Sequence, residues 1–195
     1  MKQCVEKQVG KSRFKHTLGV MEIARQLAII HGEDAHKAAV AALLHDIAKE
    51  FSPVKARMFC EQYQIPLDDY LERNIHLVHG NIGACIAREQ CDIHDEDVLN
   101  AIANHTLGQR NMSTLEKIIY LADIIEPNRR PHVGLEELRK LAYINLNDAM
   151  RVALYSNIAY LNAKNKEVHP IIYSILEEYE NTAHMEGRNE RTGKV

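Results

Sequence analysis

Residues 113–127 read STLEKIIYLADIIEP, and the reading of this stretch decides the fold. An apolar run as short as IIYLADII fits a buried strand or a buried helix, and periodicity alone does not separate them. The flanking residues do. Ser113 and Glu116 have the spacing of a capping box, in which a serine and a glutamate three residues on satisfy each other's backbone N–H groups at a helix start. The run therefore belongs inside a helix over about 114–125, and Asp123 stands in it where helical periodicity predicts core.

Helical patterning continues outward in both directions. From about Ser12 to Ile30, Phe14, Leu18, Met21 and Ala28 form one apolar stripe; Val20, Ile23, Leu27 and Ile30 form a neighbouring one, headed by His16. His31-Gly32 marks a stop, and Asp34 caps a second helix expected to run to about Phe51. Ser52-Pro53 reads as a further cap with a first-turn proline. Additional helices are read over about 76–90, 95–105, 135–143, 146–164 and 170–185, the last opened by His169-Pro170. There is no internal repeat and no alternation of strands with helices. With 46% hydrophobic and 26% charged residues, 9 Gly and 5 Pro in 195 positions, the chain is poor in turn-formers. The expected fold is all-α, a single helical-bundle domain over 1–186, followed by a polar tail over 187–195 expected to be disordered.

A net charge of -3 gives no general attraction to nucleic acid or to an anionic membrane, so neither is expected as a partner. Cys4, Cys60, Cys85 and Cys91 form no CxxC pair, and the N-terminus lacks the apolar core of a signal peptide. No apolar run approaches the ~18 residues of a membrane span. A cytoplasmic location is expected. The apolar stripes exceed what one core obviously absorbs, which leaves room for a homodimer.

The chemistry begins at AALLHDIAKE, residues 41–50, where His45, Asp46 and Lys49 interrupt an apolar stretch. A buried carboxylate without a partner costs several kcal/mol, and a cation held between imidazole and carboxylate removes that cost. The plainer alternative is a satisfied core histidine beside an Asp46–Lys49 pair at i,i+3. Other helical segments carry comparable residues: His16, His79 at the head of HGNIGA, His105 at the end of AIANHT, and Asp123. Each has a plain reading, as a helix-end dipole partner or a half-exposed edge. Together they form a series of inward positions on separate helices, which is how helix bundles build metal sites. Histidine with carboxylate suits Fe, Mn or Zn better than a thiolate cluster would. His31, His36, His94, His132 and His184 sit in capping or polar surroundings and are expected at the surface.

The order His16 … His45-Asp46 … Asp123 resembles the HD superfamily of metal-dependent phosphohydrolases. SRFKHTLGV, LLHDIAK, HGNIGA, NHTLGQRNMSTLEKIIYLADIIEPNR and the late VHP resemble more closely its branch of symmetrical bis(5'-nucleosyl)-tetraphosphatases, the diadenosine tetraphosphate (Ap4A) hydrolases. The resemblance spans about residues 12–181. It implies a single all-α HD domain in which His16, His45, Asp46 and Asp123 bind a transition metal, most often iron. His79 and His105 match positions that hold a second metal in binuclear HD enzymes or face substrate phosphates. Arg13, Lys49, Thr106 and Arg129 match basic or polar positions near the phosphates. The implied catalytic set is Asp46, Lys49, His79 and His105, acting on a dinucleoside polyphosphate, with nucleoside diphosphate as product. Ala48 replaces a common glycine, and the run RPHVGLEELRK departs from the family pattern, which leaves Arg130, His132 and also His169 without a role. Two alternatives remain open at this stage. One is another HD nucleotide phosphohydrolase; the other is a nucleotide-sensing module with a metal and no turnover, which predicts melting shifts without product. A di-iron oxygenase, which would also use a binuclear site, is open as well; it predicts oxygen consumption and no need for the basic residues.

Overall fold

The computed structural model describes residues 5, 6, 8–131 and 134–192, with side chains described as far as residue 181. His132 and the side chain of His184 lie outside the described residues, as do positions 193–195 of the expected tail. Among the described residues every regular element is helical: α1 (Lys11–Ile30), α2 (Ala35–Leu44), α3 (Pro53–Tyr63), α4 (Asp69–Arg73), a 3-10 turn (Ile75–Val78), α5 (His79–Cys91), α6 (Glu96–Asn104), α7 (Thr114–Ile125), α8 (Leu135–Ala142), α9 (Leu146–Ala163) and α10 (Pro170–Thr192).

Helix α7 is the hub. The Ser113–Glu116 capping box forms in both directions, with Ser113 Oγ accepting from the Glu116 N–H at 3.2 Å and Glu116 Oε2 accepting from the Ser113 N–H at 2.7 Å. Asn104 and Gln109 fill the other oxygen of Glu116, at 2.8 and 2.6 Å, so this carboxylate can be buried at the helix start. Leu115, Ile118, Ile119, Leu121 and Ile125 are fully buried against α1, α2, α6, α8 and α9. Each such side chain contributes about 1.5–3 kcal/mol of hydrophobic stabilisation.

Most caps read from the sequence form. Asp34 accepts from the N–H groups of His36 and Lys37, Ser52 from Lys55, and Gly32 takes φ +73° after α1. Three expectations are corrected. The two stripes of α1 merge into one buried face of His16, Thr17, Val20, Ala24, Leu27 and Ala28, while Ile30 is 53% exposed, because a single helix touches the core along one side only. Helix α2 stops at Leu44 instead of Phe51, and residues 45–50 form tight turns with i→i−3 bonds such as Ile47 N to Leu44 O (3.1 Å) and Lys49 N to Asp46 O (3.0 Å). His45 Nδ1 reaches back to the Ala42 carbonyl at 2.6 Å, the acceptor an uninterrupted helix would offer to the Asp46 N–H. Finally, α10 carries helical backbone to Thr192, beyond the expected end near 185.

Glycine sets one contact that matters for the site. A Cβ on Gly80 would lie 2.6 Å from the Ala103 carbonyl oxygen and 3.1 Å from His105 Nδ1, so α5 can press this closely on α6 only without a side chain there. Among the described residues no helix is long and apolar enough to cross a membrane.

Candidate metal centre

The tight turns after α2 let two successive side chains point into the same space. His45 is fully buried, Asp46 is 3% exposed, and the Asp46 carboxylate divides the site into two sides. On its Oδ2 side stand His16 Nε2 at 3.6 Å and His45 Nε2 at 3.4 Å, with Arg13 Nη1 at 2.8 Å. Asp123, from the middle of α7, completes this side: its Oδ1 is 3.0 Å from His16 Nε2 and 3.8 Å from His45 Nε2. On the Oδ1 side stand His79 Nε2 at 3.1 Å and His105 Nε2 at 3.6 Å, themselves 3.0 Å apart. Thr106 Oγ1 lies 3.3 Å and Lys49 Nζ 3.4 Å from His79 Nε2.

The second nitrogen of each ring is committed elsewhere. Nδ1 of His45, His79 and His105 faces the carbonyl three residues earlier (Ala42, His76, Ile102) at 2.6–2.7 Å, which places the proton on Nδ1 and turns the Nε2 lone pair inward. His16 is oriented by a carboxylate instead: its Nδ1 is 3.1 Å from Glu126 Oε1. Glu126 is 1% exposed, and its other oxygen accepts from the backbone and side-chain nitrogens of Asn128 at 2.6 and 2.9 Å. Gly19 leaves it room, since a Cβ there would fall 2.5 Å from Glu126 Oε2. Glu126 was not among the residues singled out in the sequence, although it lies three residues after Asp123, on the same side of the helix end.

Whether an ion fits is decided by two atoms. His16 Nε2 and His45 Nε2 are buried and have no hydrogen-bond partner, while carboxylate oxygens face them at 3.0–3.8 Å. Lone pairs facing lone pairs in a buried site repel unless a proton or a metal cation stands between them. The separations are those of neighbouring ligands around an ion held at ~2.0–2.2 Å, and the donor types are those of a divalent transition metal. Two sets of donors lie close enough to share an ion, His16–His45–Asp123 and His45–Asp46–His105, with His45 common to both. The residues present therefore fit a metal.

Electrostatics follow the same division. Burial alone would raise the Asp46 pKa, but His45, His105 and His79 hold it below the usual carboxylate range. Burial likewise opposes ionisation of Asp123, and His16, His45 and Arg129 overcome it and lower its pKa. On the other side, burial pushes His79 down to about 4 and also lowers Lys49.

The sequence-derived site residues converge. Of the basic ones, Arg13 and Arg129 do more than approach the site: Arg13 pairs with Asp46, and Arg129 pairs with the Asp123 carboxylate and donates to its carbonyl oxygen at 2.7 Å. The Asp46–Lys49 pair does not form; Lys49 turns to His79 and Arg13 takes Asp46. His169 stands apart, bonded to Asp68 at 2.9 Å and accepting the Ile171 N–H at the start of α10. His31, expected at the surface, is half-buried and bonded to the Ala142 carbonyl at 2.7 Å. Cys60 and Cys85 are unbridged thiols away from this cluster.

Comparison with known proteins gives a consistent picture. The HD domain family model matches residues 13–128. A protein of Halalkalibacterium halodurans named bis(5'-nucleosyl)-tetraphosphatase, symmetrical, is 42% identical over 168 residues, covering 86% of this chain and 89% of the relative. A Bacillus subtilis protein of the same name is 39% identical, with the same shares covered. The crystal structure of a predicted HD superfamily hydrolase involved in NAD metabolism, from Clostridium acetobutylicum, superposes with a TM-score of 0.89 at 40% identity, over 93% of this chain and 95% of that one.

Proposed function

Because the chain belongs to the HD domain family, we propose that it is a metal-dependent hydrolase cutting diadenosine tetraphosphate symmetrically into two ADP. The observation that carries the chemistry is the pair of partnerless, buried Nε2 atoms of His16 and His45 facing two carboxylates, at the edge of a cleft rich in arginine. The name carried by relatives 39–42% identical over most of their length supports the substrate.

In this reading His16, His45, Asp46 and Asp123 hold one ion, and iron suits two imidazoles with two carboxylates. When bound, the ion polarises a phosphoryl oxygen and makes water nucleophilic near neutral pH. Arg13, Arg129 and Lys49 offset the charge of the tetraphosphate, and Thr106 adds a hydroxyl. Asp46 orients the attacking water. The His79–His105 pair supplies the proton for the leaving ADP. Both Nδ1 atoms are committed to backbone carbonyls, so the two Nε2 atoms, 3.0 Å apart, are the ones that face the site. The Lys49 ammonium 3.4 Å from His79 disfavours a second cation on this side, which supports one ion per chain. A cytoplasmic location is part of this reading.

The test is product analysis of Ap4A incubated with metal-analysed protein, beside a chelated sample and Asp46→Ala. ADP as sole product, absent from both controls, is the expected result. No turnover by iron-loaded protein rejects the substrate, and nucleotide-dependent melting shifts would then favour a sensor.

A further inference from the structure

Beyond the metal centre the chain runs through RPHVGLEELRK, residues 130–140, and returns as α8 against the end of α7. Gly134, at φ +84°, opens α8, and Leu135 and Leu138, each 2% exposed, seat it in the core. Arg139, the next residue, is thereby brought to the last carbonyl groups of α7. Its Nε donates to Ile125 O at 2.9 Å and its Nη2 to Glu126 O at 2.9 Å, while Nη1 donates to Glu136 Oε1 at 2.5 Å. Each of the three guanidinium nitrogens is used within the chain.

The two carbonyls belong to the residues at which α7 ends. Ile125 is its last helical residue, and Glu126 turns to extended backbone at φ -56° and ψ 151°. Carbonyls at a helix C-terminus have no partner within the helix, and a cation there is favoured by the helix dipole. A planar guanidinium that spans both carbonyls also fixes the residue at which the helix stops. The metal centre depends on that point. Asp123 lies in the last turn, and the Glu126 side chain leaves from the capped residue to meet His16 Nδ1 at 3.1 Å. Moving the helix end by one residue would turn that side chain by about 100° and take it away from His16. Arg129 caps α7 as well, on the Asp123 carbonyl, but it lines the cleft and is the arginine a phosphate can draw away. Arg139 stays with the helix.

We infer that Arg139 is a positioning residue of the metal centre: by spanning the carbonyls of Ile125 and Glu126 it holds the Glu126 carboxylate against His16, and through His16 it sets metal affinity. This rests on the metal-centre reading and not on the choice of substrate. The experiment measures the Mn²⁺ affinity of the full-length protein by competition with a chelator. It uses the wild type, Arg139→Met, Arg139→Lys, Glu126→Gln, the double variant Glu126→Gln/Arg139→Met, and Arg151→Met, which removes an arginine paired with Asp148 on α9. Melting midpoints identify any variant that has not folded. Arg139→Lys, which keeps the charge but not the planar fork, carries the test if Arg139→Met does not fold. Expected are a Kd raised about threefold to tenfold by Arg139→Met, a smaller rise for Arg139→Lys, and none for Arg151→Met. In the Glu126→Gln background Arg139→Met should add less than about twofold, because the contact through which it acts is already weakened. An unchanged Kd in the folded Arg139 variants overturns the proposal. So does a full additive loss in the double variant, which would show that Arg139 does not act through Glu126, or an equal loss in Arg151→Met, which would assign the effect to net charge. A wild type that takes up no ion rejects the metal centre itself, and the proposal falls with it.

Discussion

The two sides of the Asp46 carboxylate carry equal numbers of histidines and do different things. On the Oδ2 side His16 and His45 face a second carboxylate, Asp123, and their buried Nε2 atoms without hydrogen-bond partners call for a cation. On the Oδ1 side, among the described residues, His79 and His105 make ion pairs with no carboxylate but Asp46; Lys49 and Thr106 stand beside them, and Asp123 lines the same recess. A histidine pair thus takes its role from the charge opposite it. Imidazoles against carboxylates make a cation site; imidazoles against an ammonium make a place for an anion and a proton.

The comparison can be broken first at its hinge. Asp46→Ala removes the group both sides share, and hydrolysis should fall about a thousandfold, since an ion supplies several kcal/mol of charge stabilisation. Metal analysis of the purified variant should show the ion lost as well. If metal and rate both survive, the division is wrong. A milder change tests the Oδ2 side through a residue that touches only a ligand. Glu126→Gln keeps the shape but weakens the hold on His16 Nδ1, so metal affinity should drop about 10- to 100-fold, read by competition with a chelator.

The Oδ1 side is sharpened by Lys49→Met. Removing the ammonium should let His79 and His105 take up a second ion, so that titration with Mn²⁺ rises from about one to about two per chain while turnover falls roughly tenfold. A stoichiometry that stays at one would separate the histidine pair from metal altogether. The smallest effect is in pH. Burial lowers His79 to about 4 from 6.5, so between these values the unfolded chain binds a proton that the folded chain refuses. The stability conferred by the neutral ring is complete above pH 6.5 and is lost as pH falls toward 4. In metal-free protein the urea midpoint should decline across this window, and His79→Gln should make the decline shallower.

Much of the fold was legible because its signals are local. A capping box, an Asx cap or a glycine stop acts within four residues of chain, so Ser113–Glu116, Asp34 and Gly32 hold wherever the rest of the molecule goes. The end of α2 was less legible. Nothing in LLHDIAKE forbids further helix, and the chain leaves the regular ladder where His45 turns to the Ala42 carbonyl in a buried setting. Residues of the site were legible as polar interruptions of apolar stretches, which is why His45, Asp46 and Asp123 stood out. Glu126 did not, because it follows the apolar run and reads as an ordinary helix-end acid.

By itself the sequence determined an all-α chain and the inventory of its chemistry, because helix signals and the identities of buried polar residues are properties of short stretches. The tertiary structure decided which histidine faces a carboxylate and which faces Lys49, and it gave His16 its partner 110 positions away in Glu126. It also brought Arg13, Arg129 and Arg130 to one cleft and Tyr70 and His169 to another, with Asn157 lining both. These are matters of relative position between helices distant in sequence, fixed by packing around α7, and no local pattern encodes them.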